Sequence, residues 1–274
     1  MHPLLQEIIE ILDIEKVEDN LYRGFHPSAK TGRLYGGQIM AQALIAAGRT
    51  VSEDRHPHSL HGYFMRPGDV KIPVIFSVDR IRDGRSFTTR RIAAIQHGKA
   101  IFSMDVSFQV LEKGLSHQLD MPNIQCPSDD QISDQMKNDR FVTYLMEYKE
   151  RLEEKAIAPY QHSWFKANGE IQSDDNLLHA ALLTYQSDDL LLSTSRLPHR
   201  GSFKREDMQA ASLDHAMWFH APARADQWTL YALDAPQSGA ARGFNRGMMF
   251  CEDGKLIAST MQESLMRLRV PTNG

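Results

Sequence analysis

Two adjacent carboxylates, Asp188 and Asp189, interrupt the segment LLHAALLTYQSDDLLL, which is otherwise almost wholly apolar. Leu178, Ala181, Leu182, Tyr185, Asp189 and Leu192 follow helical spacing, and Asp188 falls on the same side. Burying a carboxylate is costly unless it is hydrogen-bonded, so at least one of the pair needs partners or access to water. One acid able to take a proton from an oriented water is the first reading. The second is structural, with one acid capping a break in the helix and the other reaching solvent. Gln262 is a similar anomaly. In the stretch from Leu256 to Val270 the alternate positions Leu256, Ala258, Met266, Leu268 and Val270 are apolar, and Thr260, Gln262 and Ser264 interrupt them. A glutamine on a buried face must place up to four hydrogen bonds, whether as a structural bracket or as part of a site. Ser212, at the entry to LDHAMWFH, offers a hydroxyl that could cap, turn or hold a water.

Other chemistries lack their residues. No GxSxG elbow surrounds any serine. No GxGxxG or GxxxxGK[ST] motif is present for a dinucleotide or a nucleoside triphosphate, and no cofactor is expected. Cys126 and Cys251 lack the spacing of a zinc site, and His56, His58 and His61 have no carboxylate or cysteine to complete a ligand set, so no metal is expected either. An enzyme with this inventory would work through an oriented water.

The elements that position these residues come in two copies. LHGYFMRP, from Leu60, is followed by RDGRSFTTRR and IQHGKAIFSMDVSFQ; DHAMWFHAP, from Asp214, is followed by AARGFNRG and CEDGKLIASTMQES. Phe64 and Pro67 answer Phe219 and Pro222 at an offset of 155 residues, and Gly98-Lys99 answers Gly254-Lys255 at 156. An ordered series at a nearly fixed offset indicates a duplicated unit. On these landmarks Ser212 falls opposite Pro57 and Gln262 opposite Val106. The first copy therefore lacks the hydroxyl and the amide.

Within the first copy, Gly36-Gly37-Gln38 opens the segment IMAQALIAAGRTV, small or apolar on nearly every side and so a helix buried over most of its surface. Strict alternation follows, with Phe102, Met104, Val106, Phe108 and Val110 on one face, which predicts a half-buried antiparallel strand. A long buried helix followed by long antiparallel strands predicts an α+β arrangement, a sheet wrapped around a helix. Residues 1–111 are assigned to the first unit, 112–139 to a polar linker or covering loop, and 140–274 to the second unit. The second unit is expected to open with an extra helix over YLMEYKERLEEKA.

The chain has 274 residues, 42% of them hydrophobic and 24% charged, with a formal net charge of −4. That size suits two units, and that charge gives no basic field for a nucleic-acid partner. MHPLLQEIIE lacks the basic start and apolar core of a secretory signal, PTNG is no peroxisomal or lipidation address, and no apolar run is long enough for a membrane span. A cytoplasmic protein is expected.

Taken together, RLYGGQIMAQAL, HSLHGYFMRPGD, RDGRSFTTRR, LDHAMWFH, ARGF and ASTMQE resemble, in order, the motifs of the acyl-CoA thioesterase II family, from Leu21 to Arg267. The resemblance implies a double hotdog that hydrolyses acyl-CoA. It also implies a catalytic trio of Asp188, Ser212 and Gln262, and a homo-oligomer, dimer or tetramer. Ser212 stands where many relatives carry threonine, which keeps the hydroxyl and loses a methyl. Two other readings stay open, a non-catalytic acyl-CoA binding module and a hotdog hydratase built on Asp214-His215. Arg66, Arg85, Arg90 and Arg91 could meet CoA phosphates or could be strand charges.

Overall fold

The computed structural model describes residues 2–26, 32–153 and 155–269; Val270 and the PTNG terminus lie outside them. The first unit runs α1 (Pro3–Leu12), β1 (Glu15–Glu18), β2 (Leu21–Gly24), α2 (Gly36–Gly48), β3 (Arg55–Phe64), β4 (Val74–Asp83), β5 (Phe87–Gln96) and β6 (Lys99–Val110). The second runs β7 (Phe141–Leu145), α3 (Tyr148–Leu152), β8 (Tyr160–Ala167), α4 (Asn176–Ser187), α5 (Leu191–Thr194), β9 (Met208–Ser212), β10 (Asp214–Phe219), β11 (Thr229–Gly239), β12 (Arg242–Cys251) and β13 (Leu256–Leu268).

All strand pairs are antiparallel, in one sheet ordered β1-β2-β4-β5-β6-β3-β10-β13-β12-β11-β8-β7. The duplication is visible in that order. From the outside inwards the first unit reads β2-β4-β5-β6-β3 and the second β8-β11-β12-β13-β10, with the long helix inserted after the first strand of each series. The units join where β3 pairs with β10, Asp214 opposite Tyr63 and Trp218 opposite Ser59. Under the 155-residue offset Ser59 becomes Asp214 and Tyr63 becomes Trp218. Exchanging the units therefore maps this ladder onto itself, the signature of a local two-fold.

The two long helices fill the concave side. Every residue from Gly37 to Ala47 is buried, as is every residue from His179 to Ser187. Both helices are therefore hydrophobic or small nearly all round rather than striped, as core helices are. They lie antiparallel, the start of α2 against the end of α4: Gly37 abuts the Tyr185 carbonyl, and Gly48 abuts Leu177. Phe102, Met104, Val106 and Phe108 of β6 face this core, as the alternation predicts.

One sequence expectation changes. The helix expected over YLMEYKERLEEKA shrinks to the five residues of α3, because Phe141–Leu145 forms an edge strand on β8. The polar segment after β6 has one buried apolar residue in its SDDQISDQMKND stretch, Ile132, and Met121, Ile124 and Cys126 pack on a second cluster with Trp164, Leu230 and Phe250. It covers the outer face of the second unit.

Candidate active site at the seam of the two units

The helix carrying the two acids ends at Ser187, and Asp188 is its C-cap. Leu190 then takes a left-handed conformation, φ 68°, before the short α5. The last carbonyls of a helix lack intrahelical donors, and here side chains and a turn supply them. Ser187 Oγ lies 2.8 Å from the Thr184 carbonyl, Tyr35 Oη donates to Tyr185 (2.9 Å), the Asp189 N–H to Gln186 (3.0 Å) and Tyr231 Oη to Ser187 (2.9 Å). The position of Asp188 is thus fixed from both units. Asp189 turns back on the same break, accepting from the Leu190 N–H and from Gln186 Nε2. The structural reading of the acid pair holds in that Asp188 ends the helix, and the same carboxylate sits in the polar cluster of the seam.

Asp188 Oδ2 accepts the N–H of Gly37, in the first turn of α2, at 3.1 Å, and Oδ1 accepts the Ser212 hydroxyl at 3.3 Å. Two helix ends act on this carboxylate in opposite senses, the C-terminus of its own helix disfavouring the charge and the N-terminus of α2 favouring it. Desolvation outweighs the two hydrogen bonds and pushes the pKa up to about 6. The residue keeps partial solvent access, so water can reach a group that is basic near neutrality. Gly36 makes room for it, because a Cβ there would stand 2.6 Å from Asp188 Oδ2 and 3.0 Å from the Phe64 ring.

Strand β9 pairs with the end of β13, Ser212 opposite Ser264, and so brings the hydroxyl to the glutamine. Gln262, fully buried, donates from Nε2 to Ser212 Oγ (3.1 Å) and Ser264 Oγ (3.2 Å), and its Oε1 lies 2.8 Å from His215 Nδ1. Buried Asn245, opposite Gln262 on β12, donates to the Gln262 and Gly243 carbonyls and accepts from the Ser195 N–H. Asp188, Ser212 and Gln262 are therefore linked in one hydrogen-bonded row.

The local two-fold supplies an internal control. Both long helices start 140 residues apart, so Asp188 corresponds to Gly48 and Gly37 to Leu177. On the sheet Ser212 corresponds to Pro57, Gln262 to Val106 and His215 to Leu60. The equivalent place in the fold is an open cleft lined by His56, Pro57, His58, Asn176, Phe219 and others, with no carboxylate among its lining residues. This cleft and the polar row are thus different places, and only the second has an acid.

The arginines left open by sequence separate. Arg90 is fully buried and bonded to Thr50 and Asp83, Arg91 pairs with Asp105 in the open, and Arg66 donates to the Ala100 carbonyl. Arg90 faces Val106 across the ladder, where its counterpart Asn245 faces Gln262. The His–Asp pair needed for a hydratase does not form, since Asp214 Oδ1 accepts the Glu263 N–H (2.6 Å) and His215 bonds Gln262 and Ser187. Sequence reading missed the Gly37 amide as a partner of Asp188, and it took His215 for a possible acid–base group. The LDHAMWFH motif held the signal for the histidine, as a polar residue at a core position of β10.

Two antiparallel sheets fused at one ladder, each closed over a central helix, define the double hotdog. Comparison with known proteins supports this. Residues 25–109 match the family profile described as acyl-CoA thioesterase N-terminal domain, and residues 132–265 match that described as acyl-CoA thioesterase. Acyl-coenzyme A thioesterase 8 of Mus musculus is 40% identical over 96% of this chain and 89% of its own length. Acyl-CoA thioesterase 2 of Haemophilus influenzae is 37% identical, over 97% and 99%. The crystal structure of the acyl-CoA thioesterase II TesB2 from Mycobacterium marinum superposes with a TM-score of 0.83 at 40% identity, covering 97% of this chain and 99% of that one. A protein with a hot dog fold from Alicyclobacillus acidocaldarius, 17% identical with a TM-score of 0.76, shares the fold. The chain belongs to the acyl-CoA thioesterase II family, thioester hydrolases built as double hotdogs.

Proposed function

We propose that this chain hydrolyses acyl-CoA to a free acid and CoA at one site per chain, with Asp188, Ser212 and Gln262 holding the attacking water. The observation that carries the reading is the Asp188 carboxylate, raised to about 6 by burial, on a residue that is not fully buried, joined to the hydroxyl and through it to the amide. The water oxygen attacks the thioester carbonyl carbon and a water proton passes to Asp188. The C–S bond then breaks, and the leaving CoA sulfur takes a proton as the thiol. General-base assistance is worth on the order of 10² to 10⁴ in rate, and fixing the water adds to it. The oxyanion requires N–H donors, and the first turn of α2 offers them. Gly37 is committed to Asp188, which leaves its neighbours Gly36 and Gln38 for that role. No covalent acyl-enzyme is needed, because the Ser212 proton points at a carboxylate engaged with water rather than at a histidine base.

The test is thiol release from acyl-CoAs of graded chain length by the wild type and Asp188→Ala. Loss of turnover in a folded Asp188→Ala protein is expected, and near-normal turnover overturns the trio. Mass spectrometry of the protein quenched during a single turnover addresses the intermediate: no acyl mass should appear on the chain, and an acylated Ser212 would overturn direct attack by water. Absence of multiple turnover by the wild type would favour a binding module instead.

A further inference from the structure

Resting on the reading of Gln262 as a catalytic residue, we infer that His215 is a positioning residue: its Nδ1–H fixes which end of the Gln262 amide faces Ser212.

Ionised Asp188 only accepts, so the Ser212 hydroxyl spends its single proton on Oδ1. Ser212 Oγ must then accept from Gln262, which requires Nε2 at that end and Oε1 at the other. An Oε1 lying 2.8 Å from His215 Nδ1 demands a proton on that nitrogen. His215 is 1% exposed, and burial drives its pKa down to about 4, so it is neutral and has one N–H. With Nδ1 protonated, Nε2 accepts, and Ser187 Oγ, 3.0 Å from Nε2 and 2.8 Å from the Thr184 carbonyl, turns its single proton to the imidazole rather than to that carbonyl. In the other tautomer Nδ1 would accept and the Gln262 amide would turn over. Its oxygen would then compete with Asp188 for the Ser212 proton. The histidine thus decides where the serine proton points, although it stands two residues away from the carboxylate along the row.

The duplicated unit supports a role tied to the site. His215 and Gln262 face each other where the β10–β13 ladder continues past Ala216–Met261, and their counterparts Leu60 and Val106 face each other on β3 and β6. Where the amide is absent, the imidazole is absent too, and two apolar side chains fill the same place, both fully buried. The fold itself therefore does not require a histidine there.

The experiment compares three replacements at His215 in the full chain, with melting temperatures measured alongside steady-state kinetics. His215→Asn places an amide N–H near the position of Nδ1, His215→Gln places one near Nε2, and His215→Leu copies the first unit. His215→Leu and His215→Gln should lower kcat about 10- to 100-fold with KM within about twofold, as expected for a misplaced catalytic group. His215→Asn should recover most of the loss. Equal damage from Asn and Gln, or kcat following the melting temperature across the three, overturns the inference. A double-mutant cycle separates it from the reading beneath it: in a Gln262→Ala background, His215→Leu should cost less than about twofold further in kcat. If Gln262→Ala alone turns over normally, the trio fails. If Gln262→Ala is crippled while His215→Leu is not, only the histidine's role fails.

Discussion

The Gly37 amide and the Asp188 carboxylate are hydrogen-bonded at 3.1 Å across 151 residues of chain, joining the start of α2 in one unit to the end of α4 in the other. The site is therefore built by both units even though its acid, hydroxyl and amide all come from the second. The first unit contributes a helix start narrow enough, through Gly36 and Gly37, for a carboxylate to sit against it.

Asp188 with a pKa of about 6 predicts a pH profile with a single acid limb. The base works ionised, so kcat/KM should rise about tenfold per pH unit below pH 6 and level off above it. Initial rates between pH 4.5 and 8 check this, and a flat profile from 5 to 7 contradicts it.

The same shift predicts that the acid costs stability. Its folded-state pKa lies above the ordinary value of 3.8, so the folded protein binds the proton more tightly than the unfolded chain. Stability contributed by Asp188 falls as pH rises from about 4 to about 6 and stays low above that. Asp188→Asn should melt higher than wild type at pH 8, by on the order of 2–3 kcal/mol at most, and the gain should vanish near pH 4. Parallel thermal melts at the two pH values decide it.

Gly36→Ala should separate folding from catalysis. Alanine favours a helix by up to about 1 kcal/mol over glycine, but its Cβ would press on Asp188 Oδ2 and the Phe64 ring. A kcat at least about tenfold lower with a melting temperature near that of wild type is expected. Unchanged kcat would show that the carboxylate can give way without loss.

At Ser212 the hydroxyl matters and the methyl does not. Ser212→Thr should stay within about threefold of wild type, while Ser212→Ala leaves Asp188 and Gln262 each short of a partner and should lose about 10- to 100-fold in kcat. Equal activity of the two variants would remove the hydroxyl from the mechanism.

Much of this was legible in sequence where a pattern is local. The alternation of Phe102 to Phe108 marked a strand, Gly36-Gly37 marked a helix start, and the echo of Phe64 in Phe219 marked the duplication. Asp188 and Gln262 stood out because polar groups on apolar faces need partners. The identity of those partners was not legible, since Gly37 and Asp188 meet only through the packing of two helices far apart in sequence. One reading placed a helix break at the acids, but the apolar run continues through Leu192 and nothing local announces the left-handed Leu190. Arg90, left open between a CoA contact and a strand charge, is a case no local pattern could decide, because the sheet buries it against Thr50 and Asp83.

The ladder between β3 and β10 has one more consequence. In a dimer of identical chains, two-fold symmetry copies every substitution to both seams, so Gly37 could not be retained at one end and replaced at the other. Covalent fusion removes that constraint. Leucine can then occupy position 177 and press on Gly48, while at the opposite end Gly37 keeps its gap for a carboxylate. The fused chain can change its two seams separately, one kept for chemistry and the other free to diverge.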